Sequence, residues 1–177
     1  MMLTLMRNIL RAACLIHLFF LCAFAQAEEQ VYLAPETFLA EAFSTTPQPT
    51  VLWITATIQP EVEKILGHPP SKLRQRYWSD GTKTVWILEE IGKEEFITAG
   101  FIVANDRIEK ARVLVYRESR GGEVRYAAFL KQFEGAQLSE QRRLTKRIDG
   151  ISGATLSVWA MDRMARLALF FHRQAQQ

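Results

Sequence analysis

Cysteine is scarce in this chain, and where it stands matters more than how little there is. The 177 residues contain two cysteines, Cys14 and Cys22, both near the N-terminus. Beyond them there is no thiol for a disulfide, a thiolate metal site, an iron–sulfur cluster or a Cys-x-x-Cys-His haem attachment. Histidine is also sparse, with three in the chain. His68 and His172 stand alone in polar surroundings, so the pattern predicts no metal site and no Ser-His-Asp hydrolase. Net charge is small: 22 Lys and Arg against 19 Asp and Glu give +3. Without Arg7 and Arg11 the balance is 20 against 19, or +1. No global field attracts nucleic acid or anionic lipid. There are no internal repeats and no low-complexity segment.

What is present at the N-terminus reads as a processing signal. Arg7 and Arg11 precede an apolar stretch from Ala12 to Ala23, and Ala25-Gln26-Ala27 has the small-x-small form of a cleavage site. The apolar run is short for a membrane span, although an uncleaved anchor is the alternative. Neither cysteine has the spacing of a lipoprotein signal. Residues 1–27 are therefore expected to leave as a signal peptide, with both cysteines, giving a mature N-terminus at Glu28. Residues 28–177 remain as one domain. A redox role outside the cytosol then calls for an added organic cofactor.

Along the rest of the chain, Pro35 to Phe43 and Pro60 to Leu66 read as short helices, the second ended by Gly67 and Pro69-Pro70. Val51 to Ile54 is an apolar run too short to assign. The period then changes to two. Arg74–Trp78 and Lys83–Glu89 flank Asp80-Gly81, a hairpin signal. Phe96–Ala104 and Ile108–Tyr116 flank Asn105-Asp106. This predicts an antiparallel meander of about four strands with flanking helices, an α+β fold. Tyr126, Phe129, Leu130 and Phe133 suggest a further helix, with the aromatic residues in the core. Trp53, Trp78, Trp86 and Trp159 are read as core as well.

The most informative stretch is Asp149-Gly150-Ile151-Ser152-Gly153-Ala154-Thr155. Its glycines mark a turn. After it, Leu156, Ala160, Met164, Leu167 and Phe171 recur every three or four residues, predicting a helix of about five turns. Thr155 thus falls in the first turn, where free N–H groups and the positive end of the macrodipole lie. Two readings follow from the residues alone: Ser152 or Thr155 caps the helix, or the turn receives a phosphate.

This string resembles the flavinylation motif of the FMN-binding domain family, which includes the flavin-carrying subunits of bacterial sodium-pumping quinone reductases and their ferredoxin-oxidising relatives. The family pattern is Asp, two variable small residues, Ser or Thr, Gly, Ala, Thr. The resemblance implies that Thr155 carries FMN through a phosphoester, placed by a flavin transferase that uses FAD and a divalent metal. Asp149, Gly150, Ser152, Gly153 and Ala154 complete the site. Glu118-Ser119-Arg120-Gly121-Gly122-Glu123, with Gln132-Phe133 after it, looks like the family's Glu-Thr-Pro-Gly-Leu-Gly loop and following helix. Ser119-Arg120 replace Thr-Pro. Glu118 is read as a hydrogen-bonding residue of the flavin pocket, against a plain loop carboxylate.

The similarity covers roughly residues 83–173. It implies an exported, periplasmic electron carrier with a membrane or periplasmic redox partner, Thr155 serving as anchor and not as a nucleophile in turnover. No nucleic-acid partner is implied. A flavin-based redox sensor and a non-flavin binding domain are the alternatives. Arg142, Arg143, Lys146 and Arg147 are either a solvated segment or a basic cluster serving the FMN phosphate or the transferase. One of the four tryptophans is open to stacking on the isoalloxazine, and the sequence does not choose among them.

Overall fold

The hairpins are built by the turns that the sequence advertises. The computed structural model describes residues 30–177. The expected signal peptide and cleavage site, with Cys14 and Cys22, lie outside them. Strand β3 (Arg74–Ser79) turns into β4 (Lys83–Ile91). At that turn the Asp80 carboxylate accepts hydrogen bonds from the N–H groups of Thr82 and Lys83, at 2.9 and 3.0 Å. Gly81 takes φ +88° there. Strand β5 (Phe96–Ala104) turns into β6 (Arg107–Tyr116) through Asn105 and Asp106, at φ +51° and +58°. Two successive left-handed residues match the twist of a tight hairpin, and Asn and Asp tolerate that conformation best after Gly.

The meander β3–β6 is the centre of a larger sheet. Among the described residues that sheet has six antiparallel strands, in the order β1-β6-β5-β4-β3-β2. The expectation of four strands was short by two. Strand β1 is Gln30–Val31 and strand β2 is Thr50–Trp53, both mostly exposed and both at sheet edges. Strands of two and four residues are too short to show a period, and exposed edges carry no apolar alternation.

Helices cover both faces of the sheet. Helix α1 (Pro35–Ala42) lies on one face, where Phe38 packs with Val85, Ile102 and Leu114. A Cβ at Gly100 would collide with the Phe38 ring, so the close approach needs glycine there. The main core is on the other face. Helix α2 (Gln59–Leu66) contributes Val62 and Ile65, and the long C-terminal helix contributes Met161, Met164, Ala168 and Phe171. These meet Trp86, Leu88, Ile97, Ala99 and Phe101 of the sheet. Trp86 lies between Tyr77 and Phe171, with ring centroids at 4.6 and 5.4 Å.

The tryptophans divide. Trp86 is fully buried and Trp78 partly so, but Trp53 is 61% exposed and Trp159 55% exposed. The expected helix at Tyr126–Phe133 is a single turn, α3 (Ala127–Leu130), with 3-10 turns on either side. Phe129 and Phe133 enter the core, whereas Tyr126 is exposed. Tyr126 precedes the helical turn in extended backbone at ψ 141°, so helical spacing does not place it with the other two.

Candidate functional site

Thr155 is the first residue of helix α4 (Thr155–Ala175). The turn before it is set by Gly153 at φ +81°, where an L side chain would be strained. The residue before the helix, Ala154, is buried and has no side chain able to cap; no side-chain cap hydrogen bond is made. The capping reading of Ser152 and Thr155 therefore does not describe this turn. The first-turn N–H groups, which have no partner inside a helix, lie beside Thr155, an exposed residue.

Those groups border an open cavity of about 590 Å³, within the usual range of ~300–1,000 Å³ for small-molecule sites. One wall is the helix start, Gly153 to Ser157. The others are Lys93 and Glu94, from the turn between β4 and β5, and Glu118-Ser119-Arg120, from the loop after β6. A second cavity of about 410 Å³ lies on the other side of Ser119 and Arg120. It is lined by Gly121, Gly122, Arg125, Tyr126, Ser152 and Gly153 among others. The loop that follows β6 thus divides two spaces, and both touch the turn before Thr155.

Interactions between residues far apart in sequence hold these walls. Glu118 Oε1 accepts the N–H groups of Lys93, Glu94 and Glu95, the last two at 2.8 and 3.0 Å. A Cβ at Gly92 would stand 2.8 Å from that oxygen, so the turn can close on the carboxylate only with glycine there. Glu118 lines the cavity, and one of its oxygens fixes the cavity's shape. The buried Tyr116 hydroxyl donates to the Arg120 carbonyl and lies 3.1 Å from Ser157 Oγ. Burial, ahead of its neighbours' charges, raises the Tyr116 pKa, so it remains a neutral donor. Gly121, at φ +80°, is pressed so close that a Cβ would stand 2.9 Å from Ser157 Oγ and 3.2 Å from Ala154 Cβ. Loop and helix start are in this way one rigid unit.

The expected site residues separate into three groups. Thr155, Ala154, Gly153 and Glu118 line the larger cavity, and Ser152 and Gly153 the smaller. Asp149 and Gly150 line neither. The Asp149 side chain is 79% exposed and 4.0 Å from Arg147, while its N–H bonds to Gln132 Oε1 at 2.8 Å. The basic cluster lines neither cavity, and three of its members are engaged elsewhere. Arg142 pairs with Glu61 at 2.7 Å, Lys146 donates to the Glu134 carbonyl at 2.7 Å, and Arg147 faces Asp149. The Arg142 hydrogen bond holds the Glu61 carboxyl below its usual range.

Cations that do line the cavities are Lys93, Arg120 and Arg125. Lys93 pairs with Glu94 at 2.7 Å, and Arg125 lies against the rings of Tyr32 and Tyr126, at 4.7 and 4.9 Å from their centroids. The sequence did not single out these cations, nor Tyr116 and Ser157. The one local signal was the Arg120 that replaces a proline in the loop pattern. His68 is not isolated either: its Nε2 lies 3.1 Å from Glu90, a buried carboxylate that Arg163 also pairs with at 3.1 Å. Among the described residues no group of three or more His, Cys, Asp or Glu side chains is placed to hold a metal ion. No helix among them is long and apolar enough to cross a membrane.

Comparison with known proteins bears on the fold and on one segment of the chain. No curated protein matches the chain significantly. The fold is similar to that of Shewanella oneidensis NqrC, with a TM-score of 0.54, over 77% of this chain and 88% of that one, at 16% sequence identity. Residues 92–169 match the FMN-binding domain family. That segment starts at the glycine beneath Glu118 and runs through both loops of the cavity into helix α4.

Proposed function

We propose that this chain is a periplasmic electron-transfer protein that carries FMN covalently, through a phosphoester to the Thr155 hydroxyl. The observation that carries the reading is the position of Thr155. It is a hydroxyl on the exposed first residue of an uncapped helix, on the wall of a cavity of about 590 Å³, inside the segment that matches the FMN-binding family. The bound flavin would supply the ability to accept two electrons and release them singly.

The chain's own residues supply the rest. The uncapped first turn offers N–H groups and the positive end of the helix dipole to a phosphate, a gain of about 0.3–1 kcal/mol at an exposed site. That is far too little to retain a cofactor in a compartment where it is not readily replaced, so retention falls to the covalent bond. Glu118 fixes the β4–β5 turn, closed around its carboxylate, as one wall. Gly121, Tyr116 and Ser157 hold the Ser119-Arg120 loop against the helix as another. Asp149, exposed and outside both cavities, is available to a flavin transferase using FAD and a divalent metal. The electron donor and acceptor are a membrane or periplasmic partner.

The test is substitution of the hydroxyl alone. Thr155→Val nearly preserves the side chain's shape. Expressed in a host with a flavin transferase and an export route, wild-type protein should be yellow and stay yellow when denatured. Thr155→Val should be colourless, with the same far-UV circular dichroism. A yellow variant, or colour that washes out of denatured wild type, would refute the linkage.

A further inference from the structure

We infer that Trp159 is the residue against which the isoalloxazine ring packs when the flavin is attached at Thr155. The inference deepens the assignment of Thr155 and rests on it. Thr155 and Trp159 are four residues apart in one helix, so they lie one above the other on the same face. Side chains on a helix lean toward its N-terminus, which carries the indole back over the turn that begins with Thr155. Both residues are exposed, Trp159 by 55%.

The next residue on this stripe, Arg163, is held by Glu90 at 3.1 Å and by the Ile91 carbonyl at 3.3 Å. The indole therefore sits between a fixed ion pair and the turn that would carry the cofactor.

The chemistry of the cavity calls for such a partner. An isoalloxazine is a broad flat ring with a polar edge and an apolar one. The cavity's lining side chains are mostly polar: Lys93, Glu94, Glu118, Ser119, Arg120 and Ser157. Ala154 and Leu156 are the apolar ones, and neither is flat. Of the nearby aromatic residues, Tyr116 is buried and Tyr126 faces Arg125. Trp159 is the aromatic surface within one helical turn of Thr155 that has no partner ring among the described residues, and Leu156, 41% exposed, extends the apolar strip beside it. A ring tethered at Thr155 can turn its polar edge to the cavity and its apolar face to the indole, in the offset stacking that aromatic systems prefer.

The experiment uses the full chain, exported and flavin-loaded, with intact mass showing one FMN per chain in both wild type and Trp159→Leu. An indole stacked on an isoalloxazine quenches its emission. Trp159→Leu should therefore be at least threefold brighter than wild type per bound flavin, with an altered visible circular dichroism spectrum and an unchanged far-UV spectrum. Equal emission from the two loaded proteins would overturn the inference and leave Trp159 to a partner protein. A second measurement needs no variant. Unfolding loaded wild type in urea leaves the flavin on the chain but removes the contact, so emission should rise, and constant emission would again overturn it. If wild type carries no flavin at all, the attachment itself is refuted and this inference falls with it.

Discussion

The two ends of helix α4 are built on opposite principles. Its C-terminal half is packed on all sides that matter: Leu167, Ala168, Leu169, Phe170, Phe171 and His172 are all buried. His172 Nδ1 lies 2.7 Å from the Thr84 hydroxyl, which also accepts the Trp86 indole N–H at 2.7 Å. Its first turn is open, with Thr155 and Leu156 exposed, no side-chain cap and a cavity beside it. Ser157 and Val158 are the buried residues of that turn, and Ser157 serves to lock the neighbouring loop. One end anchors the helix so that the other can be left unsatisfied. A helix start without a cap forgoes roughly 1 kcal/mol, a loss that a 21-residue helix with a buried face can absorb.

The strongest way to break this contrast is at the packed end. Phe171→Ala should lower stability by about 3–5 kcal/mol, as removal of a buried aromatic side chain does. Chemical denaturation would show it as an earlier midpoint, while the molecules that do fold keep their flavin. Thr155→Val should do the reverse, losing the flavin with a stability change within about 0.5 kcal/mol, as expected of an exposed position. A large stability loss in Thr155→Val, or flavin lost from folded Phe171→Ala, would erase the distinction between the two ends.

A subtler probe is Asp149→Ala. Among the described residues its carboxylate contacts only Arg147, at 4.0 Å and largely in solvent, so the fold should not notice its loss. Intact mass should nevertheless show most chains without flavin, if the transferase reads this residue. Full loading would show that the transferase does not read the Asp149 carboxylate.

The smallest effect is on pH dependence, and the two histidines divide it. Hydrogen bonding to the Pro69 carbonyl, and then to Glu90, raises the His68 pKa above its ordinary 6.5. Its stabilisation is complete below 6.5 and is lost as pH rises through the raised value. Burial lowers the His172 pKa below 6.5. Its neutral form is favoured in the folded chain, so stability is lost as pH falls below 6.5 toward the depressed value. The two histidines thus act on opposite limbs of the stability profile, His68 on the alkaline one and His172 on the acid one. His68→Gln should flatten the stability profile on the alkaline side only, as followed by thermal melts across pH 5.5–8.5, the interval around that ordinary value. An unchanged alkaline limb would show that the exposed His68 contributes nothing.

What could be read from the sequence follows the range of the interaction responsible. The meander announces itself through Asp80-Gly81 and Asn105-Asp106 because a tight turn is a local matter. The helix after Thr155 is legible because its buried face repeats along the chain. The cavity walls are not. Glu118 reaches N–H groups more than twenty residues earlier, and Tyr116 reaches a serine forty-one residues later. No spacing rule connects such pairs. The same blindness affected charge: Arg142, Arg143, Lys146 and Arg147 are close in sequence, yet Arg142, in a turn, pairs with Glu61 of helix α2. Lys93, Arg120 and Arg125, scattered along the chain, are the cations brought to the cavities. Trp53 and Trp159 were misplaced because aromatic identity signals burial only on average, and both stand on an exposed edge or an exposed helix face.

The central claim is the bond at Thr155, and peptide mapping of the exported wild-type protein tests it most directly. The account predicts an added mass of one FMN less one water, on the peptide containing Thr155, with fragmentation placing it on that residue. The same mass on Ser152 or Ser157, or a flavin that leaves the chain on denaturation, would contradict it.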